Sequence, residues 1–390
     1  MGSSSSSMAI LEDASSRIEA LLSTLSLSPE SYKFMFPSNI EQHRFTSMIN
    51  DGKFPTIPSL APAITCCIVL SILRYILHVT LFKKLALYAM KLKDIIVSSD
   101  KVIDYHLPNR GKKIDNADIA KLVIILKNEK YNREYISNYV WERYKKTVIN
   151  KKVIKFVEAL WRFIFYTVFS VIGYKTLFTP DTAIWVKDTK QHWDDWPLHP
   201  LTAAISLYYH VELGSYMHQL LWTEVNRKDT IEMMLHHLIT ISLIVTSYLT
   251  NYTRVGASIL FLHDLADVFL ESAKLFNYTS KAKGHGWAKN VCDVLFAIFA
   301  ITFFITRLVI YPRYIIGSVL FEAPAFFGTD WIGYWVFAGL LIMLELLHIF
   351  WFYLIARMIY RLVTTGIEKD ERSDDDEDID LDGNDSKKGK

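Results

Sequence analysis

The chain has 390 residues, 51% hydrophobic and 14% aromatic, and a formal net charge of only +2 from 43 basic and 41 acidic side chains. The apolar residues are gathered into blocks instead of being spread at amphipathic spacing, which excludes a water-soluble globular domain and predicts an all-α polytopic membrane protein. Three cysteines, Cys66, Cys67 and Cys292, all sit in apolar stretches and offer neither a disulfide framework nor a zinc spacing.

At about 20 apolar residues per crossing, spans fall near 60–82, 156–178, 200–222, 231–250, 256–276, 288–311 and 334–360, with polar residues interrupting the third and fifth. Seven spans are therefore expected. The segment 1–59 before them opens on a Ser-rich run with no basic, apolar leader. Lys83, Lys84, Lys91 and Lys93 follow the first span and Lys145, Lys146, Lys151, Lys152 and Lys155 precede the second, so the region 83–155 is expected in the cytosol and the N-terminus in the lumen. That region holds 18 Lys plus Arg against 8 Asp plus Glu. It reads as two short helices around 128–132, the second basic and aromatic. Such a helix suits anionic headgroups, and nucleic acid is not the expected partner.

Further along, "TPDTAIWVKDTKQHWDDW" is acidic and aromatic, as a lumenal connection is, and "SKAKGHGWAK" is basic, as a cytosolic one is. The 20 residues from Tyr311 to Asp330 read as a connection before the last span. An odd number of spans leaves the C-terminus cytosolic. The run 364–390 is too charged and too poor in apolar residues to fold, and its end, Lys387-Lys388-Gly389-Lys390, resembles a dilysine retrieval signal for the endoplasmic reticulum.

The stretch Met234 to Tyr278 is apolar enough for two crossings, yet it carries His236, His237, His263, Asp264, Asp267, Glu271 and Lys274. Each Asp or Lys costs roughly 2.5 to 3.5 kcal/mol to insert. On a helix, His263, Asp267, Glu271, Lys274 and Tyr278 share an arc of about 80°, with Asp264 at its edge, and His236, His237, Thr240, Ser247, Tyr248 and Asn251 share about 120° of the preceding helix. Tyr208, Glu212, Ser215, Tyr216 and Gln219 share an arc of the third span. Facing polar stripes of this kind must line a bundle interior or a wet cavity, and so many groups point to a reaction or transport site more than to a packing clamp. His236 lies roughly 8 Å inside its helix and Asp267 roughly 14 Å inside its own. They are expected to meet, the carboxylate holding the imidazole in one tautomer and leaving the other nitrogen as base or nucleophile. Arg74, His78 and Arg307 read as snorkelling or helix-bridging groups, while Glu345 and His348, at i and i+3, are able to face the cavity.

The same residues carry a resemblance. "HHLITISLIVTSYLTNYTRVGASILFLHDLADVFLESAKLFNY" closely resembles the Lag motif of the TLC-domain ceramide synthases, with an HHxxT start, an HDxxD core and an AKxxNY end. "KFVEALWRFIFY" (Lys155 to Tyr166) and "RKDTIEMMLHH" (Arg227 to His237) are similar to that family too, and 83–155 is weakly similar to its homeobox-like segment. The resemblance implies a TLC catalytic domain over 156–363, with six spans enclosing an intramembrane cavity and one further span before them. It implies an endoplasmic reticulum enzyme that transfers a fatty acyl group from acyl-CoA, as cosubstrate, to the amine of a sphingoid base. No metal or other cofactor is expected. His236, His237, Asp264 and Asp267 are then the catalytic candidates. The cavity candidates are His263, Thr240, Ser247, Tyr248, Asn251, Glu271 and Lys274, joined by Tyr208, Glu212 and Tyr216 from the third span. Arg227 and Lys228 are candidates for the CoA phosphates. Membrane lipids are expected around the bundle, and homodimers or heterodimers are compatible with it. Three rivals remain open at this point: a proton-coupled transporter, which calls for broken helices and an internal repeat; a non-catalytic TLC lipid sensor or scaffold, which has no need of both HHxxT and HDxxD; and a di-iron desaturase, which calls for HxxxH-type boxes that the 12 histidines do not form.

Overall fold

The computed structural model describes residues 35–37, 40–107, 116–126, 129–179, 187–222, 230–282 and 284–365. The N-terminal run and the acidic tail, including the dilysine-like end, lie outside them. Among the described residues every regular element is a helix. Apart from short 3-10 turns at Glu129–Tyr131 and Thr189–His192, these are in chain order α1 (Gln42–Asn50), α2 (Pro58–Ala89), α3 (Lys101–His106), α4 (Asn116–Leu126), α5 (Arg133–Leu177), α6 (Ala203–Leu221), α7 (Thr230–Leu249), α8 (Thr253–Ser280), α9 (Trp287–Phe327) and α10 (Ile332–Thr365).

Five of them, α2, α5, α7, α9 and α10, are long and apolar enough to cross a membrane. The other two expected spans are helices in their expected places: α6 has 19 residues and α8 has 28. Their polar residues hold them below the apolarity of the other five, and several of these, including Glu212, His218, His263 and Asp264, are buried. Burial against other helices is how a polar side chain is accommodated at membrane depth.

Two boundaries differ from the sequence reading. The second "short" basic helix is the beginning of α5, a single helix of 45 residues that Asn132 starts by accepting from the Tyr135 N–H at 2.8 Å. The connection expected at 311–330 is helical as far as Phe327, and α9 is wound as a π-helix over Phe304–Ile316 and again over Ser318–Glu322. Pro312 lies inside the first stretch, where it has no N–H to give, and the Gly317 N–H reaches back five residues to the Pro312 carbonyl.

The described residues fall into two compact units. The first comprises those up to Tyr75, Ile164–Leu270 and those from Phe296 onward; the second comprises Ile76–Phe163 and Glu271–Leu295. In the second unit, α3, α4 and the start of α5 enclose a small core of Ile103, Ile119, Leu122, Ile136 and Val140. Asp100 caps α3 by accepting from the Val102 and Ile103 N–H groups, and Asp104 takes hydrogen bonds from Tyr139 and Arg143. Burial pushes the Asp104 carboxyl up, but the bonds from Ser99, Tyr139 and Arg143 outweigh it and hold the group below its ordinary value.

The first unit has an aromatic core in which Trp196 stacks on Tyr252 and Trp331 with centroids 5.0 and 5.1 Å away, and Phe36, Phe45 and Phe54 from the chain before α2 join it. Asn251 closes the turn between α7 and α8 at a left-handed φ of 57°. Its amide donates to the Pro197 and His199 carbonyls at 2.7 and 2.9 Å. The sequence reading put Asn251 on the cavity stripe; the helix stops at Leu249, so its phase does not carry that far, and Asn251 holds the α5–α6 connection instead.

Candidate active site

The first unit encloses a narrow slot between α6, α7, α8 and α10, lined by Tyr216, Thr240, Ser247, His263, Phe337 and Leu344 among others. Four of the cavity candidates, Tyr216, Thr240, Ser247 and His263, thus line one space. Its walls are otherwise apolar, with a few polar groups set among them.

His236 and His237 from α7 lie with ring centroids 5.5 Å apart. Tyr216 of α6 is 6.3 Å from the first ring and 6.0 Å from the second, and Trp351 of α10 is 5.1 Å from His236. Nδ1 of His236 is buried and has no hydrogen-bond partner among the described residues. The contact expected between His236 and Asp267 is not the one formed: Asp267 Oδ2 accepts from Arg307 Nη2 at 2.9 Å. A permanently charged guanidinium is a stronger partner for a buried carboxylate than a neutral imidazole. Arg307, read from sequence as a snorkelling or helix-bridging group, bridges α9 to α8, and its Nη2 also donates to the His263 carbonyl at 3.0 Å.

His263 is fixed at both nitrogens. Nδ1 lies 2.7 Å from the Ile259 carbonyl one turn back, and Nε2 lies 2.8 Å from Nε2 of His348 on α10. His348 in turn meets Glu345 Oε2 at 3.1 Å through Nδ1. Tyr311 of α9 packs edge-on against both rings, at 5.6 Å from His263 and 5.1 Å from His348, and gives its hydroxyl proton to the Leu341 carbonyl. The functional neighbourhood therefore draws on α9 and α10 as well as on the motif helices.

The remaining candidates separate. Glu212 of α6 and Asp264 of α8, both buried, set their carboxyls side by side with the Tyr208 hydroxyl beside them. Tyr248 lies in a second polar group, its hydroxyl 3.1 Å from Ser59 Oγ and 3.4 Å from His210 Nε2. Glu271 and Lys274 belong to the second unit, where Glu271 Oε1 takes hydrogen bonds from Arg162 at 3.1 Å and Lys274 at 2.8 Å; neither lines the slot. One helical arc spans 263–278 and α8 is continuous across it, but Glu271 and Lys274 group with the second compact unit and His263 and Asp267 with the first. Arg227 and Lys228 lie outside the described residues.

A bundle of apolar helices with buried His and Asp groups around an internal slot defines a polytopic membrane protein with a site at membrane depth, and the comparisons with known proteins agree. The profile of the TLC domain, shared by TRAM, LAG1 and CLN8 proteins, matches residues 155–357, and the chain belongs to that family. The relatives found within it are ceramide synthases: human ceramide synthase 5, 40% identical over 223 residues, covering 56% of this chain and 54% of that one; ceramide synthase LOH2 of Arabidopsis thaliana, 37% identical over 240 residues, 59% and 77%; and ceramide synthase hyl-1 of Caenorhabditis elegans, 39% identical over 235 residues, 56% and 61%. The match spans about half the length of the human ceramide synthases 5 and 4.

Proposed function

We propose that this protein is a ceramide synthase of the endoplasmic reticulum membrane, with its N-terminus lumenal and its C-terminus cytosolic, which joins a fatty acyl group from acyl-CoA to the amine of a sphingoid base. The observation that carries this reading is His236: an imidazole nitrogen, buried and unpartnered among the described residues, beside a second histidine and close to a slot of mostly apolar walls. A buried imidazole nitrogen without a partner is a poor packing element, and in the tautomer that leaves it bare it is a good nucleophile.

In this reading the His236 nitrogen attacks the thioester carbonyl. A C–N bond forms, the C–S bond breaks, and the CoA thiolate takes the imidazole proton. The amine then attacks the acyl-imidazole, its nitrogen forms the amide, the C–N bond to His236 breaks, and the imidazole recovers a proton from the amine. His237 lies beside the reacting ring, the Arg307 charge acts on it, and the acyl chain runs along the apolar walls of the bundle. Arg227 and Lys228, from the basic stretch before α7, meet the CoA phosphates.

The test is N-acylation of sphinganine by the purified full chain across acyl-CoA lengths, beside His236→Ala and Asp267→Asn. Ceramide is expected from the unaltered protein and is lost in His236→Ala with the fold intact. Acyl-CoA alone should leave an acylated histidine. No product with any acyl-CoA from well-folded protein overturns the reading in favour of a lipid sensor or scaffold.

A further inference from the structure

The chain of contacts from Glu345 through His348 to His263 has a proton count that can be read from its geometry. The Ile259 carbonyl only accepts, so Nδ1 of His263 carries a hydrogen. The 2.8 Å approach of the two Nε2 atoms needs one hydrogen between them, and the 3.1 Å approach of His348 Nδ1 to Glu345 Oε2 needs another. Three hydrogen bonds require three protons. Two neutral imidazoles bring one each, so the third is a proton held between Glu345 and His348. Without it, either the carboxylate faces a bare His348 nitrogen or, with the His348 hydrogen turned to the carboxylate, the two Nε2 atoms face each other bare, and one of the two contacts becomes a repulsion.

Resting on the acyltransfer reading above, we propose that Glu345 is a positioning residue for that reaction: its proton keeps the Glu345–His348–His263 chain closed, and the closed chain holds His263 in the slot wall. His348 is fully buried, whereas the Glu345 side chain is 15% exposed, so Glu345 is the end at which the proton exchanges. The charged and titratable groups that face the chain are Tyr311 and Arg307 from α9, Asp267 from α8 and His236 from α7. A closed chain is neutral beside the Arg307–Asp267 pair. An opened one adds a negative charge there and loosens His348, leaving His263 held only by its bond to the Ile259 carbonyl.

The substitution that isolates the effect is Glu345→Gln. A glutamine amide donates to the His348 nitrogen and so keeps all three bonds, but it has no proton to lose in the alkaline range. The pH profile of kcat for ceramide formation is expected to lose one ionisation on its alkaline side, with activity maintained at least one pH unit further up. The KM values for acyl-CoA and sphinganine should stay within twofold. Glu345→Asp, which keeps the ionisable group but shortens its reach, is expected to lower kcat at every pH with unchanged KM, and it carries the test if the glutamine variant folds poorly. A Glu345→Gln profile that superimposes on that of the unaltered protein overturns the inference. So does a folded Glu345→Gln protein inactive at all pH values. Absence of ceramide from the unaltered protein fails the acyltransfer reading instead, which keeps the two failures apart.

Discussion

Replacing Arg307 by Met removes a guanidinium whose side chain is 6% exposed, together with two hydrogen bonds from one nitrogen, to the His263 carbonyl and to Asp267. The side chain of Asp267 is 21% exposed, so the variant leaves a carboxylate about four-fifths buried without its guanidinium. Stranding one member of a fully buried pair costs roughly 3 to 5 kcal/mol, and the residual exposure of Asp267 sets the expectation at the lower end, about 3 kcal/mol. Asp267→Asn keeps an acceptor for Arg307 but loses charge assistance, at about 2 kcal/mol. With both changed no charge is stranded, and only the His263 carbonyl and the amide at position 267 lose the guanidinium. The double variant should therefore cost about 2 kcal/mol, not the sum of about 5, a coupling of about 3 kcal/mol. The assay is equilibrium unfolding in mixed micelles followed by tryptophan fluorescence, with all four proteins measured under one condition. A single-variant cost below about 1 kcal/mol for Arg307→Met, or additivity within about 0.5 kcal/mol, refutes the pair as the tie between α8 and α9.

Two further outcomes follow from the packing and the loop. A Cβ on Gly256 would collide with the Tyr209 hydroxyl and lie 2.8 Å from Ser247 Oγ, two groups already hydrogen bonded to each other at 3.1 Å, so Gly256→Ala should destabilise by about 1 to 3 kcal/mol and Tyr209→Phe in the same chain should recover part of it, both read as thermal midpoints. In the connection from α5 to α6, burial pushes His192 down to about 4 and His199 down to about 3 from an ordinary value near 6.5. The unfolded chain then takes up protons below pH 6.5 that the folded chain refuses, so stability falls with pH from 6.5 to about 4 for His192 and to about 3 for His199. The loss is about 1.4 kcal/mol per pH unit and group, roughly 4 kcal/mol for the two at pH 5. His192→Gln should halve the slope of the thermal midpoint against pH, and an unchanged slope would contradict the assignment.

How much of this was legible in the sequence depends on where each polar group sits. Periodicity within one helix identifies a stripe, and the stripes of α6, α7 and α8 supplied Tyr216, Thr240, Ser247 and His263, which do line one slot. It does not say which helix the stripe meets. Arg307, Glu345 and His348 are few polar residues in long apolar runs, so they formed no pattern of their own, and their contacts lie 40 and 85 residues away from their partners. The i, i+3 spacing of Glu345 and His348 was the available signal, and it correctly placed them on one face. Asp267 was paired with the wrong partner because depth alone brought His236 within its reach, and only the assembled bundle shows that a guanidinium lies nearer. Phase also fails wherever a helix ends early, as at Asn251, or changes pitch, as α9 does.

That change of pitch ties Arg307 and Tyr311 to chain length as well as to residue identity. Both lie within Phe304–Ile316, and each touches His263 or its neighbours because the coil there is wider than an α-helix. Loss of one residue between them with the pitch unchanged would swing everything on one side of the gap by about 100°. One of the two side chains would then face away from the imidazoles although no functional residue had been altered. In this segment a single-residue deletion is a more damaging event than most substitutions, and alignments drawn across it with a gap displace the site even where every letter matches.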